Sequence, residues 1–451
     1  MVNSFWKLVL SVVLLAGISC SKEKDMVQTM SLFSATLNGS ALNSGLQGVA
    51  LDAEVVLVFS KGVNPVNFQT AFSISPQPQD ISFAYTNQSS RVTVSMTLDY
   101  ATTYNLSVPV TAIGVNNEQL ENELRYSFTT LEDGTIYRLP PCTAATNDCL
   151  QSLHYGQNPG GSLPFYASFP IFEDNAEWLD LTAAIIVVHG ANRDADNYFS
   201  YLSTTLQQEN LSDKVALIAP SFQNDAEAEG DEFYWTNTGW RSGNNSLDAN
   251  DVSSFELVDA IIDRLADKSH FPVLEKVVIT GHSSGALFAH LYGAANKAEN
   301  RHPDLQFEYI SANSQYFYYP GDERINESSN ELFFPSGCTG YNFYPLGYNV
   351  VPDYVAGTLE MEFNDQFVHR SITYLLGNGN TPDPALNTTD CSATLLGSSR
   401  YKRGENMYQY MELKYPSEHN HSRVLVEGIG HDGKGMYQSP EFRTYIRQIL
   451  N

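Results

Sequence analysis

Continuous runs of apolar residues recur beyond residue 180, and they constrain the fold more than any other feature of the chain. Ala183–Val188 holds six apolar residues in succession, and comparable runs occur at Val215–Ala219, Lys276–Thr280, Ile372–Leu376 and Arg423–Val426. Such runs are typical of strands that are buried on both faces of a parallel sheet. The pattern therefore predicts at least five central strands.

A helical segment lies between the second and third of these runs. Ser253 and Glu256 form a capping-box pattern, and apolar residues then repeat at helical spacing to about Ala266. A further strand is expected at Phe307–Ser311. Strands that alternate with helices predict an α/β protein with a doubly wound sheet and helices on both faces.

The sequence Gly281-His282-Ser283-Ser284-Gly285 follows the third run directly and opens a helix-like segment. This is the G-x-S-x-G pattern in a strand–turn–helix context, in which a serine hydroxyl is raised on a tight turn. Side chains at the two flanking positions would clash in that turn, and glycine relieves the clash. The pattern predicts that Ser283 is a nucleophile.

These residues resemble the α/β-hydrolase fold family, and the resemblance covers residues 138–451. In that family the catalytic residues follow the order nucleophile, acid, histidine. The resemblance assigns the histidine to His431, which lies in a glycine-rich loop after the last strand. Its role would be general base and then general acid.

The resemblance also indicates an oxyanion hole. His189 and Gly190 follow the first apolar run, so the donors would be the N–H of Ala191 or of Asn192 together with the N–H of Ser284. We interpret His189 itself as a residue that packs the loop rather than as a proton carrier.

The acid of the triad has two candidates. The Gly-x-x-Asp pattern that is common in the family has Asn380 at its last position, where a carboxylate is expected, and Asp383 lies three residues further on. Asn380 could orient an imidazole through its carbonyl but could not stabilise imidazolium by charge. We favour Asp383, because a charged partner is chemically the better one.

Aromatic segments around Trp235 and Trp240, and around Tyr316, follow predicted strands at the edge where ligands bind in such sheets. They predict an aromatic-rimmed substrate cleft. We expect no metal ion and no cofactor.

Residues 31–130 read as short alternating strands separated by turn residues, which predicts a small all-β sandwich. Pieces such as Val58-Phe59-Ser60 and Phe128-Thr129-Thr130 resemble bacterial Ig-like domains. We assign no chemistry to this domain and interpret it as a spacer. A linker is expected at residues 131–137.

The first 19 residues have the layout of a secretory signal, with Lys7 ahead of an apolar run too short to span a bilayer. Cys20 follows in a pattern that resembles a bacterial lipoprotein signal, which implies lipidation of Cys20 and a tether at residues 20–30. The chain is then expected to be exported and held at a bacterial membrane by its lipid alone, on the outer membrane, facing the periplasm or the surface.

Four cysteines remain in the exported chain, and an even number suggests disulfides. The pairing that is local in sequence joins Cys142 to Cys149 and Cys338 to Cys391, one of three possible connectivities. A zinc site fits these spacings poorly.

The formal net charge of −26 excludes a nucleic-acid partner, because phosphate binding needs a surplus of Lys and Arg. The sequence therefore predicts an exported serine hydrolase that cleaves carboxylic esters, similar to secreted carbohydrate esterases and to polyester or polyhydroxyalkanoate depolymerases. Two alternatives stay open: a non-catalytic surface-binding lipoprotein with a degenerate hydrolase domain, which Asn380 would explain, and a serine peptidase on the same fold.

Overall fold

The computed structural model describes residues 28–131, 140–156, 160–173 and 178–450. Contacts divide the chain into two compact units, residues 1–135 and 136–451. The signal at 1–19, Cys20, most of the tether and most of the linker at 131–137 lie outside the described residues. Within the described part, no helix combines the length and apolar character that crossing a membrane requires.

The front unit consists of two main β-sheets, as the sequence predicts, and a separate two-stranded sheet of β1 and β10. One has the strand order β3-β2-β5-β8-β7 and the other the order β4-β11-β9-β6. The alternation of a half-buried strand is visible in β8, where Val92, Val94 and Met96 belong to the buried core and their neighbours do not. The strands are β1 Thr29–Met30, β2 Leu32–Leu37, β3 Ser40–Ala41, β4 Leu46–Val49, β5 Asp52–Phe59, β6 Ser73–Ser75, β7 Gln79–Thr86, β8 Arg91–Thr97, β9 Thr103–Val108, β10 Gln119–Leu120 and β11 Leu124–Thr130.

Two features of this unit differ from expectation. Thr29–Met30, which we expected in the tether, pairs with Gln119–Leu120 and belongs to the folded unit. A short helix, α1 (Pro65–Ala71), interrupts the strands. The side chain of Asn64 accepts hydrogen bonds from two backbone N–H groups of its first turn, and proline follows at the first helical position.

The second unit is built on an eight-stranded sheet with the order β12-β13-β15-β14-β16-β17-β20-β21. The six strands from β15 to β21 in this order are parallel, and β12 and β13 join antiparallel at one edge. The sheet strands are β12 Leu150–Tyr155, β13 Gly161–Ala167, β14 Ala183–Val188, β15 Val215–Pro220, β16 Lys276–His282, β17 Gln306–Ala312, β20 Ile372–Gly377 and β21 His421–Val426, and a separate hairpin is formed by β18 Arg324–Asn326 and β19 Glu331–Phe333.

Both faces of this sheet are covered. Along β14, Ala184, Ile186 and Val188 belong to one buried cluster and the intervening residues belong to another, so the uninterrupted apolar run has partners on each side. The helices are α2 Ala195–Gln208, α3 Ser254–Leu265, α4 Ser284–Ala295, α5 Ala298–Arg301, α6 Asp353–Ala356, α7 Glu360–His369, α8 Cys391–Thr394, α9 Arg400–Lys414, α10 Gly433–Gln438 and α11 Pro440–Leu450.

Local signals in the sequence are reproduced closely in this unit. The capping box at Ser253 and Glu256 is present at the start of α3. Each predicted central strand forms within two residues of its expected bounds. The sequence did not predict the antiparallel strands β12 and β13 or the hairpin of β18 and β19, because they lack the continuous apolar runs of the central strands.

Both disulfides form as the sequence predicts. Cys142 pairs with Cys149 and Cys338 with Cys391. The second bridge joins residues that are 53 apart in sequence and ties α8 to the segment that follows the β18–β19 hairpin. It thereby restrains the chain just after the loop that carries Asp383.

Candidate active site

Ser283 lies on a sharp turn between β16 and α4, at the carboxyl end of the central strands. Its backbone has φ 59° and ψ −110°, a conformation that residues other than glycine rarely adopt. Ser283 N–H donates to the carbonyl of Ala312 at the end of β17, at 3.0 Å. The turn has the geometry of a nucleophile elbow, in which a strained serine is held by the surrounding sheet.

Close backbone packing explains the two glycines of the motif. A Cβ on Gly281 would lie 2.2 Å from the carbonyl oxygen of Gly285, and a Cβ on Gly285 would lie 2.1 Å from that of Val188. Both distances are far inside van der Waals contact. The start of α4 therefore rests directly on the end of β14, where the predicted oxyanion loop begins.

His431 lies in the loop after β21, and Asp383 holds its ring. His431 Nδ1 donates to Asp383 Oδ1 at 3.1 Å, and the two side chains are 21% and 14% exposed. With Nδ1 as the donor, Nε2 of the neutral ring carries the lone pair. Nε2 is buried and has no hydrogen-bond partner among the described residues. The pair thus presents an oriented acceptor nitrogen.

Arg400, the first residue of α9, binds the other oxygen of this carboxylate. Its Nε donates to Asp383 Oδ2 at 2.6 Å. Burial raises the pKa of Asp383, but the hydrogen bond and charge of Arg400 outweigh it, and the net pKa is below the ordinary value. Sequence reasoning missed Arg400, because it lies on a separate helix, 17 residues after Asp383, with no motif of its own.

Burial and the charge of Arg400 also lower the pKa of His431, and this effect exceeds the opposing one of Asp383. The imidazole is therefore neutral, and able to accept a proton, at pH values near 7. Asp383 is ionised in the same range. An ionised carboxylate and a neutral imidazole therefore coexist in hydrogen-bond contact over the same pH range.

Asn380, the other candidate for the acid position, lies beside this pair. It lines a cavity of about 190 Å³ together with Asn313, Asp383, Arg400 and His431. The hydrogen bond from His431 Nδ1 goes to Asp383. The structure thus brings the carboxylate that we favoured, rather than the amide, into contact with the histidine.

The residue before the serine connects this pair to the elbow. The rings of His282 and His431 stack, with centroids 4.9 Å apart and an interplanar angle of 29°. Burial lowers the pKa of His282 well below its ordinary value, so it remains neutral. The hydroxyl of Tyr198 is 3.0 Å from His282 Nδ1 and fixes the ring on its other side. His431 is thereby placed against the turn that carries Ser283.

The predicted oxyanion loop forms a turn after β14. Ala191 and Asn192 are exposed at its tip, and Arg193 N–H donates to Gly190 O at 3.2 Å. His189 anchors the turn from inside, because Nδ1 donates to Gly190 O and Nε2 accepts from Phe222 N–H. Burial lowers the pKa of His189 to about 4, so its role is packing and support, as we interpreted it.

Ser284, the other predicted donor, is the first residue of α4 and is 6% exposed. The elbow and the oxyanion loop are adjacent, since the helix start contacts the last carbonyls of β14.

The two tryptophans do not form the rim of a cleft. Trp235 is 1% exposed and Trp240 is 0% exposed, and both belong to the central core. The ring centres of Trp240 and His189 are 4.5 Å apart, and Trp240 Nε1–H donates to Asn237 O. Trp240 therefore packs against the histidine that anchors the predicted oxyanion loop. The long loop after β15 folds back over the sheet and removes both rings from water. This burial of apolar area is energetically favourable.

Tyr316 is half-buried and remains near the site. The guanidinium of Arg241 lies 5.5 Å from its ring centre, and Arg241 Nη1 donates to Ser284 Oγ at 3.1 Å. Arg241 was also missed from the sequence, although it directly follows the tryptophan that we singled out.

Among the described residues, no group of three or more His, Cys, Asp or Glu side chains is arranged to hold a metal ion. The groups that the structure brings together here are the imidazole of His431 and the carboxylate of Asp383, and the ring of His282 links them to the turn of Ser283.

Comparisons with known proteins identify one domain and several structures to which the chain is similar. The family model of the bacterial Ig-like domain matches residues 35–130. No curated protein matches the chain. Among solved structures, the chain is similar to LpqC, a poly(3-hydroxybutyrate) depolymerase from Bordetella parapertussis, with 18% identity over 67% of this chain and 94% of that one and a TM-score of 0.46.

Two further structures have similar coverage. Poly(aspartic acid) hydrolase-1 from Sphingomonas sp. KT-1 shows 19% identity over 67% of this chain and 98% of that one, with a TM-score of 0.46. The siderophore hydrolase EstB from Aspergillus nidulans shows 14% identity over 68% of this chain and 96% of that one, with a TM-score of 0.37.

The strand order of the large sheet and the turn after β16 define the second unit as an α/β-hydrolase fold. A bacterial Ig-like domain precedes it. Both parts of the predicted fold class are confirmed.

We expect the His431 imidazole to titrate below its ordinary pKa of about 6.5, because burial and Arg400 oppose its protonation. Arg400→Gln removes the nearby cation and should raise that pKa. Histidine NMR titration of both proteins measures the change. Arg443→Gln is the control, because Arg443 is paired with Glu209, and this variant should leave the pKa of His431 unchanged. A His431 pKa that is the same with and without Arg400 would contradict this account.

Gly285→Ala should destabilise the second unit by about 3 kcal/mol or prevent its folding, since the added Cβ meets the backbone of β14. Gly357→Ala is the matched control, because nothing lies within 4 Å of the added atom, and it should be neutral or slightly stabilising. Urea unfolding followed by tryptophan fluorescence compares them. Equal stability of the two variants would show that the elbow does not pack as described.

Proposed function

We propose that this protein is an exported serine hydrolase that cleaves carboxylic esters through an acyl-enzyme. The observation that carries the proposal is the Asp383–His431 hydrogen bond, which leaves Nε2 of a neutral imidazole as the acceptor beside the strained Ser283 turn. The strained backbone of Ser283 and the buried, unpartnered Nε2 both lower the stability of the folded chain, and a catalytic role explains why both are present.

In the first step, Ser283 Oγ attacks the ester carbonyl while His431 Nε2 takes the hydroxyl proton. The carbonyl π electrons move to oxygen, and the N–H of Ser284 with that of Ala191 or Asn192 stabilises the oxyanion. Collapse of this intermediate breaks the bond to the alcohol, which leaves with the proton from His431. The serine then carries the acyl group.

In the second step, His431 Nε2 takes a proton from water, whose oxygen attacks the acyl carbon. The second tetrahedral intermediate collapses to a carboxylic acid as the bond to Ser283 Oγ breaks, and His431 donates its proton to that oxygen. Asp383 stays ionised throughout and stabilises the imidazolium that forms twice in each cycle. Arg400 keeps Asp383 ionised and in position.

The non-catalytic alternative depended on Asn380 occupying the acid position. The contact between Asp383 and His431 removes that reason for assuming a degenerate site. The ester reaction is the function that the geometry supports best.

Ser283→Ala should abolish both labelling by a fluorophosphonate probe and hydrolysis of 4-nitrophenyl esters, because the attacking oxygen is removed.

Asp383→Asn should lower kcat by ~10⁴ and Asn380→Ala far less, since only the carboxylate stabilises imidazolium. Stopped assays across a panel of acyl lengths, with acetylated and feruloylated sugars and a peptide anilide beside them, measure both effects.

The opposite ranking of these two variants would assign the acid to Asn380. A folded wild-type protein that neither labels nor turns over any ester would contradict the proposed function and favour a binding protein. Cleavage of the peptide anilide alone would favour the peptidase alternative.

We also propose that Cys20 is lipidated after removal of residues 1–19, on the basis of the lipoprotein-like signal. Palmitate fed to an expressing bacterium should label the wild-type protein and place it in the membrane fraction. Cys20→Ser should lose both the label and the membrane association. Retention of both by the variant would show that the anchor is not at Cys20.

A further inference from the structure

Arg241 is a guanidinium beside the proposed catalytic serine for which the described residues supply no acidic partner. It lies on a single helical turn, Trp240–Ser242, that packs against α4. Nη1 donates to Ser284 Oγ, and Nε is buried with no hydrogen-bond partner in the described part of the chain. No described carboxylate forms an ion pair with it. A half-buried cation without a counter-ion is unfavourable, so a reason for its retention is required.

Further positive charges lie close to Arg241 and make its lack of a counter-ion more unfavourable. Burial lowers the pKa of Arg241, and the charge of Arg400 lowers it further, so the two guanidinium groups act on each other as like charges. Arg400 is 5% exposed, and its Nη2 is also buried without a partner among the described residues. Arg403 is buried nearby but donates to three backbone carbonyls, so its hydrogen bonds are satisfied.

The balance of charge at the site is therefore positive. Arg400 and Arg403 are buried and Arg241 is half-buried. Among the described residues, Asp383 is the one carboxylate that forms an ion pair with any of these three arginines, and it is already shared with His431. The chain as a whole is strongly acidic, with 51 acidic and 25 basic residues. A local excess of cations in such a chain is a specific feature of the site and points to an anion that arrives with the substrate.

We propose that Arg241 is a specificity-determining residue that binds a carboxylate on the substrate, and that the preferred substrates are esters carrying an anionic group close to the scissile bond. This inference rests on the proposed ester hydrolysis. Because Ser284 follows the nucleophile, a carboxylate at Arg241 lies within a few bonds of the reacting carbonyl. A planar guanidinium suits a carboxylate, which can accept two parallel hydrogen bonds.

Two matched pairs of esters test the proposal on the wild-type protein. Mono(4-nitrophenyl) adipate and 4-nitrophenyl hexanoate differ by a carboxylate at the end of the acyl chain. 4-Acetoxybenzoate and 4-acetoxybenzamide differ by a carboxylate on the alcohol part. In at least one pair, kcat/KM of the anionic ester should exceed that of the neutral ester by about tenfold or more, and the excess should fall with added NaCl.

Arg241→Gln should reduce this anionic-to-neutral ratio by about 10- to 100-fold, and Arg241→Lys should keep part of it. A purely structural effect, or a role of Arg241 at the oxyanion, would lower both esters equally and leave the ratio unchanged. Arg423→Gln is the matched control, because this arginine also lies over a tyrosine ring but is paired with Glu405 away from the site. It should leave the ratio as in the wild type.

Calorimetric titration with adipate and with 4-hydroxybenzoate tests recognition without turnover. Binding by the wild type that is lost in Arg241→Gln supports the inference, even if no ester is cleaved and the proposed function fails. Efficient hydrolysis of neutral esters, with no anionic preference in either pair, would overturn the inference and leave the proposed function intact. The wild-type ratios decide this point even if the Arg241 variants do not fold.

Discussion

The carboxylate of Asp383 is the group on which the arrangement of the site depends. It accepts from His431 Nδ1 through one oxygen and from Arg400 Nε through the other, in a part-buried position where an unpaired charge would be unfavourable. Because the two donors come from a loop and a helix, the carboxylate joins two separate elements. The same bonds fix the tautomer of the histidine and keep its acceptor nitrogen available.

The sheet supplies the second condition, which is rigid placement of the serine. Parallel strands end at a common edge, and the turn after β16 is held there by contact with the end of β14 and by the hydrogen bond to β17. The strained backbone of Ser283 can persist because both neighbours of the strand are buried and fixed. The ring of His282, the residue before the serine, stacks on the ring of His431.

Electrostatics separates this site from the rest of the molecule. The chain carries a formal net charge of −26, yet three arginines, Arg241, Arg400 and Arg403, lie around Ser284, Tyr316 and Asp383, and among the described residues one of them is paired with a carboxylate. The front unit, by contrast, contributes a β-sandwich whose core cluster is apolar. The candidate site lies in the second unit, and we interpret the sandwich as a spacer.

The sequence by itself determined the elements whose signals are local. Apolar runs and turn residues predict the central strands, the capping box predicts the start of α3, and the glycines around Ser283 predict the elbow. These follow from strand periodicity and backbone sterics, which act over a few residues. The resemblance to α/β-hydrolases indicated the histidine, and closeness in sequence indicated the two disulfide pairs.

Only the tertiary structure decided which side chains meet. The choice between Asn380 and Asp383 depends on the path of one loop, and the bond to Arg400 depends on how α9 packs beside it. The sequence predicted Trp235 and Trp240 at the rim of a substrate cleft, but the loop that carries them folds over the sheet and buries both side chains. Such contacts join residues with no fixed spacing in sequence. Burial and the resulting shifts in pKa exist only once the chain has folded around them.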